Sequence, residues 1–368
     1  MDIICFSHLR WNFVFQRPQH LLGRMAKQYR VFYIEEPVFY TLENKNMVAV
    51  SPQNVWVVTP FISLDTDPAH IEQVQTDLLN VLLTDFNIQD YYCWYYTPMA
   101  LPFSRHLKPQ VTVYDCMDEL SAFNFAPTLL HELELELFKR TDIVFTGGYS
   151  LYSSKKQYHH NIYPFPSSIE KEHFEKARLE QPDPEDQAQI GFPRMGFFGV
   201  LDERLDIELI NAVAIARPNW QIIFVGPVVK IDPDSLPVHP NIHYLGQKSY
   251  NELPAYISGW DLAMIPFANN KSTEFISPTK TPEYLAAGKP VISSPIRDVI
   301  DPYAELSLVH IAFDATDFIE IATLELNNKD RGIWLRDVDD FLRRNSWDIT
   351  CNAMNALIKQ IKENREYV

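Results

Sequence analysis

A lysine and a glutamate lie close to a predicted helix start within residues 277–294, SPTKTPEYLAAGKPVISS. A helix that starts near Pro278 presents unpaired backbone amides and the positive end of its dipole, which together favour a pyrophosphate. Lys280 adds a positive charge beside those amides. Glu283, one turn further on, can accept hydrogen bonds from two neighbouring ribose hydroxyls. These residue types at this spacing predict a site for a nucleoside diphosphate.

The same segment contains the elements that must position these groups. Thr281–Pro282 suits a helix cap followed by the first helical residue, and Pro278 offers an alternative start one turn earlier. Gly288 suits the left-handed conformation that ends a helix, and the run at 290–293 predicts a buried strand. The residues alone leave a second interpretation open, in which the segment is an ordinary helix–strand unit and Glu283 is structural.

Short apolar runs alternate with helical patterns through both halves of the chain. Several runs lack apolar–polar alternation, which is typical of parallel strands covered on both faces. In the N-terminal half, the predicted strands are Asp2–Phe6, Arg30–Ile34, Val55–Val58, Tyr91–Tyr96, Val111–Tyr114 and Asp142–Thr146. In the C-terminal half, they are Arg194–Phe198, Gln221–Val225, Asn241–Leu245, Asp261–Ile265 and Pro290–Ser293. A helical pattern at Arg17–Tyr29 completes an opening βαβ unit.

A polar stretch separates the two series. Leu179–Gln189, LEQPDPEDQAQ, contains two prolines and no periodicity, which predicts an interdomain linker. We therefore expect an α/β protein with two doubly wound, Rossmann-like domains that face each other across a cleft. The expected domains are residues 1–178 and 190–346. A closing helix within residues 347–368 is expected to pack back on the first domain.

The segment at 277–294 resembles the donor-site signature of GT-B glycosyltransferases, especially the retaining family 4 (glycosyl transferases group 1), which has the form sPxKxxEYxAxGkPVV. The matching residues are Ser277, Pro278, Lys280, Glu283, Tyr284, Ala286, Gly288, Lys289, Pro290 and Val291. MGFFGVL at 195–201, FVG at 224–226, NIHYLG at 241–246 and DLAMIPF at 261–267 match in the family's order. The resemblance covers nearly the whole chain and implies the GT-B fold and a glycosyltransferase.

The resemblance also implies roles for individual residues. The expected nucleotide contacts are Gly199, Gly226, Gly246, Ser277, Pro278, Thr279 and Glu283. Arg204 and Lys280 are expected to stabilise the charge that develops on the leaving diphosphate. The family usually carries a further glutamate eight positions before Glu283, where this chain has Phe275. Glu274 is adjacent and could replace that glutamate after a one-residue shift of the loop.

The loop after the first strand is dense in charged and aromatic side chains. Residues 7–20, SHLRWNFVFQRPQH, follow a strand at the edge where doubly wound domains bind ligands. They resemble the opening of a bacterial subgroup with a W…QRPQHL pattern. We expect Arg10 or Arg17 to meet phosphate or acceptor charge and Trp11 to stack on a sugar. In the alternative interpretation, Arg17 pairs with a nearby carboxylate and Trp11 packs between the domains.

A second acidic candidate follows another predicted strand, in residues 114–123, YDCMDELSAF. Asp118 is expected to act as an acid–base group or to bind an acceptor hydroxyl, while Asp115 belongs to the strand end. Alternatively, Asp118 caps the following helix. Many family 4 enzymes carry a donor-contacting histidine where this chain has Thr97–Pro98. His8 is the candidate to replace that histidine.

Composition restricts the partners. The net charge of −16 disfavours nucleic acid and anionic membrane surfaces. No segment approaches the ~20 apolar residues of a membrane helix, and the N-terminus lacks a signal-peptide layout, so we expect a cytoplasmic protein. The four cysteines lack disulfide or zinc spacing. Glutamates 132, 134 and 136 are predicted to form a solvated helix face, and no metal site is expected.

The expected reaction transfers a sugar from a nucleoside diphosphate sugar, UDP- or GDP-linked, to a glycan or other hydroxyl acceptor. Retention of configuration and a role in polysaccharide or cell-envelope glycan synthesis follow from the resemblance. No cofactor or metal is expected, because cationic side chains and a helix start can stabilise the leaving group. Two alternatives remain open: a nucleotide-sugar 2-epimerase of the same fold, and a catalytically silent nucleotide-sugar-binding protein.

Overall fold

The computed structural model describes residues 1–40, 43–124, 126–179 and 181–366. The chain divides into two compact units, each with its own sheet and core. The first unit comprises Met1–Pro166 and Asp348–Val368, and the second comprises Ser167–Trp347. Within the described residues, every helix is too short or too polar to cross a membrane.

The strands are numbered in chain order through both units. Those of the first unit are β1 Asp2–Phe6, β2 Arg30–Ile34, β3 Val38–Tyr40, β4 Lys45–Val50, β5 Val55–Ser63, β6 Tyr91–Tyr95, β7 Val111–Cys116, β8 Ile143–Thr146 and β9 Ile162–Pro164. Those of the second unit are β10 Arg194–Phe198, β11 Gln221–Val225, β12 Ile242–Tyr244, β13 Leu262–Ile265, β14 Val291–Ser293 and β15 His310–Ile311.

The helices are likewise numbered in chain order. They are α1 Arg17–Met25, α2 Ile71–Asp85, α3 Leu101–Ser104, α4 Leu130–Arg140, α5 Tyr149–Lys155, α6 Lys171–Phe174, α7 Glu185–Ala188, α8 Ile207–Ala216, α9 Leu253–Ser258, α10 Lys280–Ala286, α11 Arg297–Val299, α12 Ala315–Asn327, α13 Gly332–Leu342 and α14 Trp347–Glu366.

The sheet of the first unit is built outward from β1. This strand is wholly buried and pairs in parallel with β2 on one side and β6 on the other. The sheet continues through β5 beyond β2, and through β7, β8 and β9 beyond β6. Strand β4 pairs antiparallel with β5 and is largely exposed. From β1 the chain first adds β2 and β5 on one side of the sheet and later adds β6 to β9 on the other side. The boundary between β1 and β6 is therefore a topological switch point, where doubly wound sheets bind ligands.

The sheet of the second unit has the order β12-β11-β10-β13-β14-β15, and its adjacent strands are parallel. Its central strand β10, RMGFF, is buried throughout. This agrees with the prediction that the strands are covered on both faces. The switch point lies between β10 and β13. The α/β class and the two Rossmann-like folds are therefore confirmed.

The predicted interdomain linker at Leu179–Gln189 does not separate the units. The structure places this segment in the second unit, where α7 forms and Gln187 is buried. The buried guanidinium of Arg194 donates to Asp183 over 2.7 Å and to the carbonyl of Gln187 over 3.0 Å. These polar residues satisfy a buried charge, which explains their composition. Glu180, within the predicted linker, and the last two residues of the predicted closing segment lie outside the described residues.

The chain passes between the units at Pro166–Ser167 and again at Trp347–Asp348. Most of helix α14 therefore belongs to the first unit, where it lies against α1. Arg24 of α1 donates to Asp348 over 2.9 Å, and Tyr29 donates to Asn355 over 2.8 Å. Met354, on the same helix, is fully buried.

Candidate functional site

Three glycines follow neighbouring strands at the carboxyl edge of the second sheet. Gly199 follows β10 and Gly226 follows β11, and both have positive φ angles, +131° and +153°. Gly246 follows β12, with a φ of +70°. The amide of Gly226 donates to the carbonyl of Gly246 over 2.8 Å, and a Cβ at position 226 would collide with the Gly199 carbonyl. Glycine is required here because the backbones of adjacent loops touch.

Lys280 reaches this group of loops from the first turn of α10. Its side chain lies directly over Gly199, where a Cβ would overlap the end of the lysine. The ammonium lies over the rings of Phe197 and Phe267, at 5.2 Å and 5.7 Å from their centroids. The helix begins at Lys280 with Thr279 in the cap position, between the two starts that the sequence offered. The structure thus brings Lys280 and Gly199 together.

Arg204 lies close by, but its guanidinium is engaged. It donates to both carboxylate oxygens of Asp202, with distances between 2.6 Å and 3.1 Å. Its guanidinium carbon is 5.7 Å from the centroid of the same Phe267 ring that Lys280 approaches. The sequence did not predict the pairing with Asp202, which partly offsets the positive charge of Arg204. A diphosphate would have to share this guanidinium with a carboxylate.

Glu283 is a buried carboxyl group without full hydrogen bonding. Its side chain is on the first turn of α10, and the residue is only 6% exposed. Among the described residues, Oε2 has no hydrogen-bond partner. Burial raises the pKa of Glu283 to about 8, and the nearby Lys280 opposes that rise. Because buried polar atoms are nearly always paired, this oxygen is an exception among the buried groups of the second unit.

The loop before α10 lines a cavity of about 200 Å³ at the ends of β13 and β14. Glu274 and Phe275 both contribute to its wall, together with Ser294. The hydroxyl of Ser294 is buried and has no partner among the described residues.

Two residues just before α10 are fixed by hydrogen bonds to their backbone carbonyls. The carbonyl of Ser277 accepts from the hydroxyl of Ser167 over 2.9 Å. Pro278 lies one turn before Thr281, whose amide donates to the Pro278 carbonyl over 3.2 Å.

In the first unit, Arg17 has a structural position. Its guanidinium donates to both carboxylate oxygens of Asp115, over 2.8–3.1 Å, and to the carbonyl of Phe165 over 2.7 Å. Both members of the pair are buried. The expectation that Arg17 meets an acceptor is therefore corrected: it pairs with a carboxylate, as the alternative interpretation proposed.

Trp11 and Arg10 are also tied to the protein. Trp11 is buried and packs edge-on against Tyr33, with 4.9 Å between ring centroids. Its ring is consequently not available to stack on a sugar, which corrects that expectation. Arg10 donates to Glu35 over 3.0 Å and to the carbonyls of Glu36 and Pro37. Glu35 also accepts from the amide of Trp11 over 2.8 Å, so this one carboxylate organises the loop after β1.

His8 and Asp118 follow different strands of the first sheet, β1 and β7, and both are partly exposed. The Asp118 loop is anchored at Cys116, whose thiol contacts the carbonyl of Asp118 over 3.7 Å. Burial lowers the pKa of Arg17, but the paired carboxylate of Asp115 outweighs it and raises the pKa, with a smaller contribution from Asp118. The catalytic roles of His8 and Asp118 stay predictions.

The predicted solvated face on α4 is wrong for Glu134. This glutamate is buried, accepts from Lys155 over 2.7 Å and accepts from the hydroxyl of Tyr114 over 2.8 Å. Lys155 also pairs with Glu119, in the loop that carries Asp118. Burial lowers the pKa of Lys155, but Cys116 and the two carboxylates together outweigh it and raise the pKa. A buried lysine therefore explains why this position carries an acidic residue.

No protein-family model matches the chain. The putative teichuronic acid biosynthesis glycosyltransferase TuaH of Bacillus subtilis (strain 168) is 25% identical over 220 residues. That match spans 55% of this chain and only 55%, about half, of the relative's length.

Solved structures match over nearly the whole chain. Sucrose-phosphate synthase from Thermosynechococcus elongatus superposes with a TM-score of 0.71 at 13% identity and covers 98% of both chains. Anabaena HepE in complex with UDP and glucose superposes with a TM-score of 0.68 at 15% identity and covers 100% of both. The chain has the GT-B fold.

Two features of this GT-B chain, at Glu35 and Thr281, were not predicted from the sequence. Glu35 directly follows β2 and organises the first loop, and its position just past a buried strand was the available signal. Thr281, at the start of α10, has a buried hydroxyl without a partner among the described residues. Nothing in its sequence context distinguishes it from an ordinary helix cap.

Proposed function

We propose that this chain is a glycosyltransferase that moves a sugar from a nucleoside diphosphate sugar, held by the second unit, to a hydroxyl acceptor held by the first. The observation that carries the proposal is the buried carboxyl group of Glu283 beside the ammonium of Lys280 and the glycine loop at 199. A nucleoside diphosphate supplies what this group of residues requires, namely ribose hydroxyls for the carboxyl group and a diphosphate for the ammonium.

UDP is the proposed nucleotide. The HepE structure that shares this fold contains UDP and glucose, and the name of the Bacillus relative places that protein in teichuronic acid synthesis. We propose on this basis a UDP-sugar donor and a role in polysaccharide or cell-envelope glycan synthesis. Retention of configuration rests on the resemblance of residues 277–291 to the retaining family 4.

The chemical step would release UDP as the new glycosidic bond forms. The anomeric carbon leaves the diphosphate oxygen and bonds to the acceptor oxygen, whose proton is taken up by a base. Lys280 would stabilise the charge on the diphosphate, and Arg204 would share its guanidinium between Asp202 and the phosphate. In the first unit, Asp118 is the proposed base or hydroxyl ligand and His8 the proposed sugar contact. No step in this scheme uses a cofactor.

Replacement of Lys280 by alanine tests the donor site. We expect Lys280→Ala to weaken UDP binding at least tenfold, about 1.4 kcal/mol, because the ammonium lies directly beside Gly199. Isothermal calorimetry of the full chain with UDP would measure this loss. Lys271→Ala removes an exposed lysine from the loop before α10 and should bind UDP like the wild type. Release of UDP from UDP-glucose by the wild type would support a transferase over a silent binding protein.

Unaltered UDP affinity in both Lys280→Ala and Glu283→Gln would overturn the proposed donor site. Interconversion of the UDP-sugar without an acceptor, followed by NMR, would instead favour the epimerase. These outcomes separate a misplaced site from a different reaction at the same site.

A further inference from the structure

A second cavity lies in the first unit, at the carboxyl edge of its sheet. Its volume is about 300 Å³, within the range of small-ligand sites. Ser7, Glu35 and Thr97, which follow β1, β2 and β6, contribute to its lining. Strands β1 and β6 are neighbours in the sheet although four strands separate them in the chain. The cavity therefore occupies the topological switch point, where doubly wound sheets bind their ligands.

The apolar part of this cavity is formed by aromatic and small side chains. Phe6, Ala100 and Phe103 are buried and line the cavity on the side of β1 and α3. Phe39, on β3, also lines it, and this phenylalanine remains 47% exposed. An accessible aromatic ring at a cavity offers a flat apolar surface to a ligand.

The polar part of the cavity includes a side chain with unused hydrogen-bonding capacity. Gln75, on α2, lines the cavity and has no hydrogen-bond partner in the part of the chain that the structure describes. Its amide can both donate and accept. Glu35, in contrast, is engaged by Arg10, by the hydroxyl of Thr59 and by the amide of Trp11. Glu35 therefore shapes the cavity, and Gln75 is available to a ligand.

The charge of the lining restricts the ligand further. Two carboxylates, from Glu35 and Glu36, line the cavity, and the described lining residues include no lysine, arginine or histidine. The nearby Arg10 is engaged by Glu35 and by two backbone carbonyls. A phosphate or carboxylate on the ligand would therefore meet two carboxylates whose charge Arg10 offsets only in part.

We propose that this cavity binds an uncharged sugar unit of the acceptor. The apolar face of a pyranose would lie on Phe39, and its hydroxyls would exchange hydrogen bonds with Gln75 and the carboxylate of Glu36. The inference rests on the proposed glycosyltransferase function and adds the chemical class of the acceptor. It also moves the acceptor contacts away from Arg17 and Trp11, which the structure buries.

Saturation-transfer NMR on the full chain with bound UDP tests this inference. The probes are the methyl glycosides of glucose, galactose and N-acetylglucosamine, compared with glucose 6-phosphate and glucuronate. We expect at least one methyl glycoside to bind, and to bind more tightly than either charged sugar. Phe39→Ala and Gln75→Ala should each weaken that binding by about tenfold while UDP affinity stays unchanged.

Matched controls lie beside each position. Tyr40 is also 47% exposed and follows Phe39 on the same strand, where alternation turns its side chain to the opposite face of the sheet. Gln73 is an exposed residue on α2 that bonds to Asp77. Tyr40→Ala and Gln73→Ala should bind the methyl glycoside like the wild type.

Three results would overturn the proposal. The first is tighter binding of glucose 6-phosphate or glucuronate than of any methyl glycoside, and the second is equal glycoside binding by the wild type and all four variants. The third is no binding of any methyl glycoside by a protein that binds UDP. A wild type that does not bind UDP would contradict the proposed donor site instead. The two failures are therefore distinguishable.

Discussion

Glu283 is both buried and ionisable, and burial disfavours its ionised form. Its carboxyl group is buried with one oxygen unpartnered among the described residues, and its pKa is raised to about 8 from an ordinary 4.5. A carboxyl group in this condition lowers stability when it ionises, because burial disfavours the charge. Such a residue is expected where a ligand supplies the missing hydrogen bonds. We therefore expect Glu283 to favour ligand binding and to lower the free energy of unfolding.

The sign of the pH effect follows from proton binding. Between pH 4.5 and about 8, the folded protein keeps the proton on Glu283 while the unfolded chain loses it. The contribution of this group to the free energy of unfolding therefore falls as pH rises through that window. Glutamine has the same shape and cannot ionise.

We expect Glu283→Gln to be more stable than the wild type at pH 8, by roughly 1–4 kcal/mol, since each pKa unit corresponds to about 1.4 kcal/mol. The difference should shrink toward pH 4.5. At pH values above about 8, where Glu283 is ionised, the same variant should bind UDP at least tenfold more weakly. The carboxylate then offers two acceptor oxygens to the ribose hydroxyls, whereas glutamine offers one. Urea unfolding at several pH values and calorimetry would measure the two effects.

Glu208→Gln provides the control, because Glu208 is an exposed glutamate in the first turn of α8. It should change neither the stability profile nor UDP binding. A Glu283→Gln variant that is less stable than the wild type at pH 8 would contradict the raised pKa and the incomplete pairing of the carboxyl group.

At the scale of elements, the donor site depends on how closely three loops approach. The loops after β10, β11 and β12 are joined by backbone hydrogen bonds, including the bond from Gly226 to Gly246. Gly226 has a φ of +153° and no room for a Cβ, whereas Gly246 faces open space at a φ of +70°. The two glycines should therefore respond differently to alanine.

We expect Gly226→Ala to destabilise the second unit by roughly 1–3 kcal/mol or more, because it combines backbone strain with a collision. It should also weaken UDP binding by displacing the loop at Gly199. Thermal unfolding and calorimetry with UDP would record both losses. Gly191→Ala is the control, because a Cβ at that position meets nothing within 4 Å. Equal stability of Gly226→Ala and Gly191→Ala would exclude the close loop packing.

The sequence predicted the helix that carries Lys280 and Glu283 but not its first residue. The spacing of the two residues places them on neighbouring parts of one helical turn, whichever residue begins the helix. The actual start, at Lys280, lies between the two predicted starts. Thr279 in the cap position makes no side-chain capping bond, so local cap chemistry alone did not determine the boundary.

At the scale of the whole molecule, the chain forms two units with separate cores, and α14 contributes to the first. Met354 is fully buried on this helix. Met354→Ala should destabilise the first unit by about 2–5 kcal/mol, because it leaves a cavity in a packed core. UDP binding, which we assign to the second unit, should remain at the wild-type level. Scanning calorimetry with and without UDP would measure both.

Lys359→Ala, at an exposed position on the same helix, should unfold like the wild type. A large loss of UDP affinity in Met354→Ala would contradict the separation of the two roles. Retained affinity with lower thermal stability would support it.

Local sequence was sufficient to predict the α/β class, the central strands and the segment with Lys280 and Glu283. Continuous apolar runs determine buried parallel strands, and a motif on one helical turn is positioned by that turn alone. Short or exposed strands such as β4 lacked this signal. Polar composition likewise indicated a linker at 179–189, although those residues pair with the buried Arg194.

Only the tertiary structure decided which charged groups are engaged. Arg17 and Asp115 are 98 residues apart in the chain, yet they meet because their strands and helix converge at the sheet edge. Glu134 became a buried partner of Lys155 in the same way. Charge pairing at long range depends on strand order and packing, which residue periodicity does not encode. The cavity beside Phe39 and Gln75 has the same origin, because its walls come from several strands and helices.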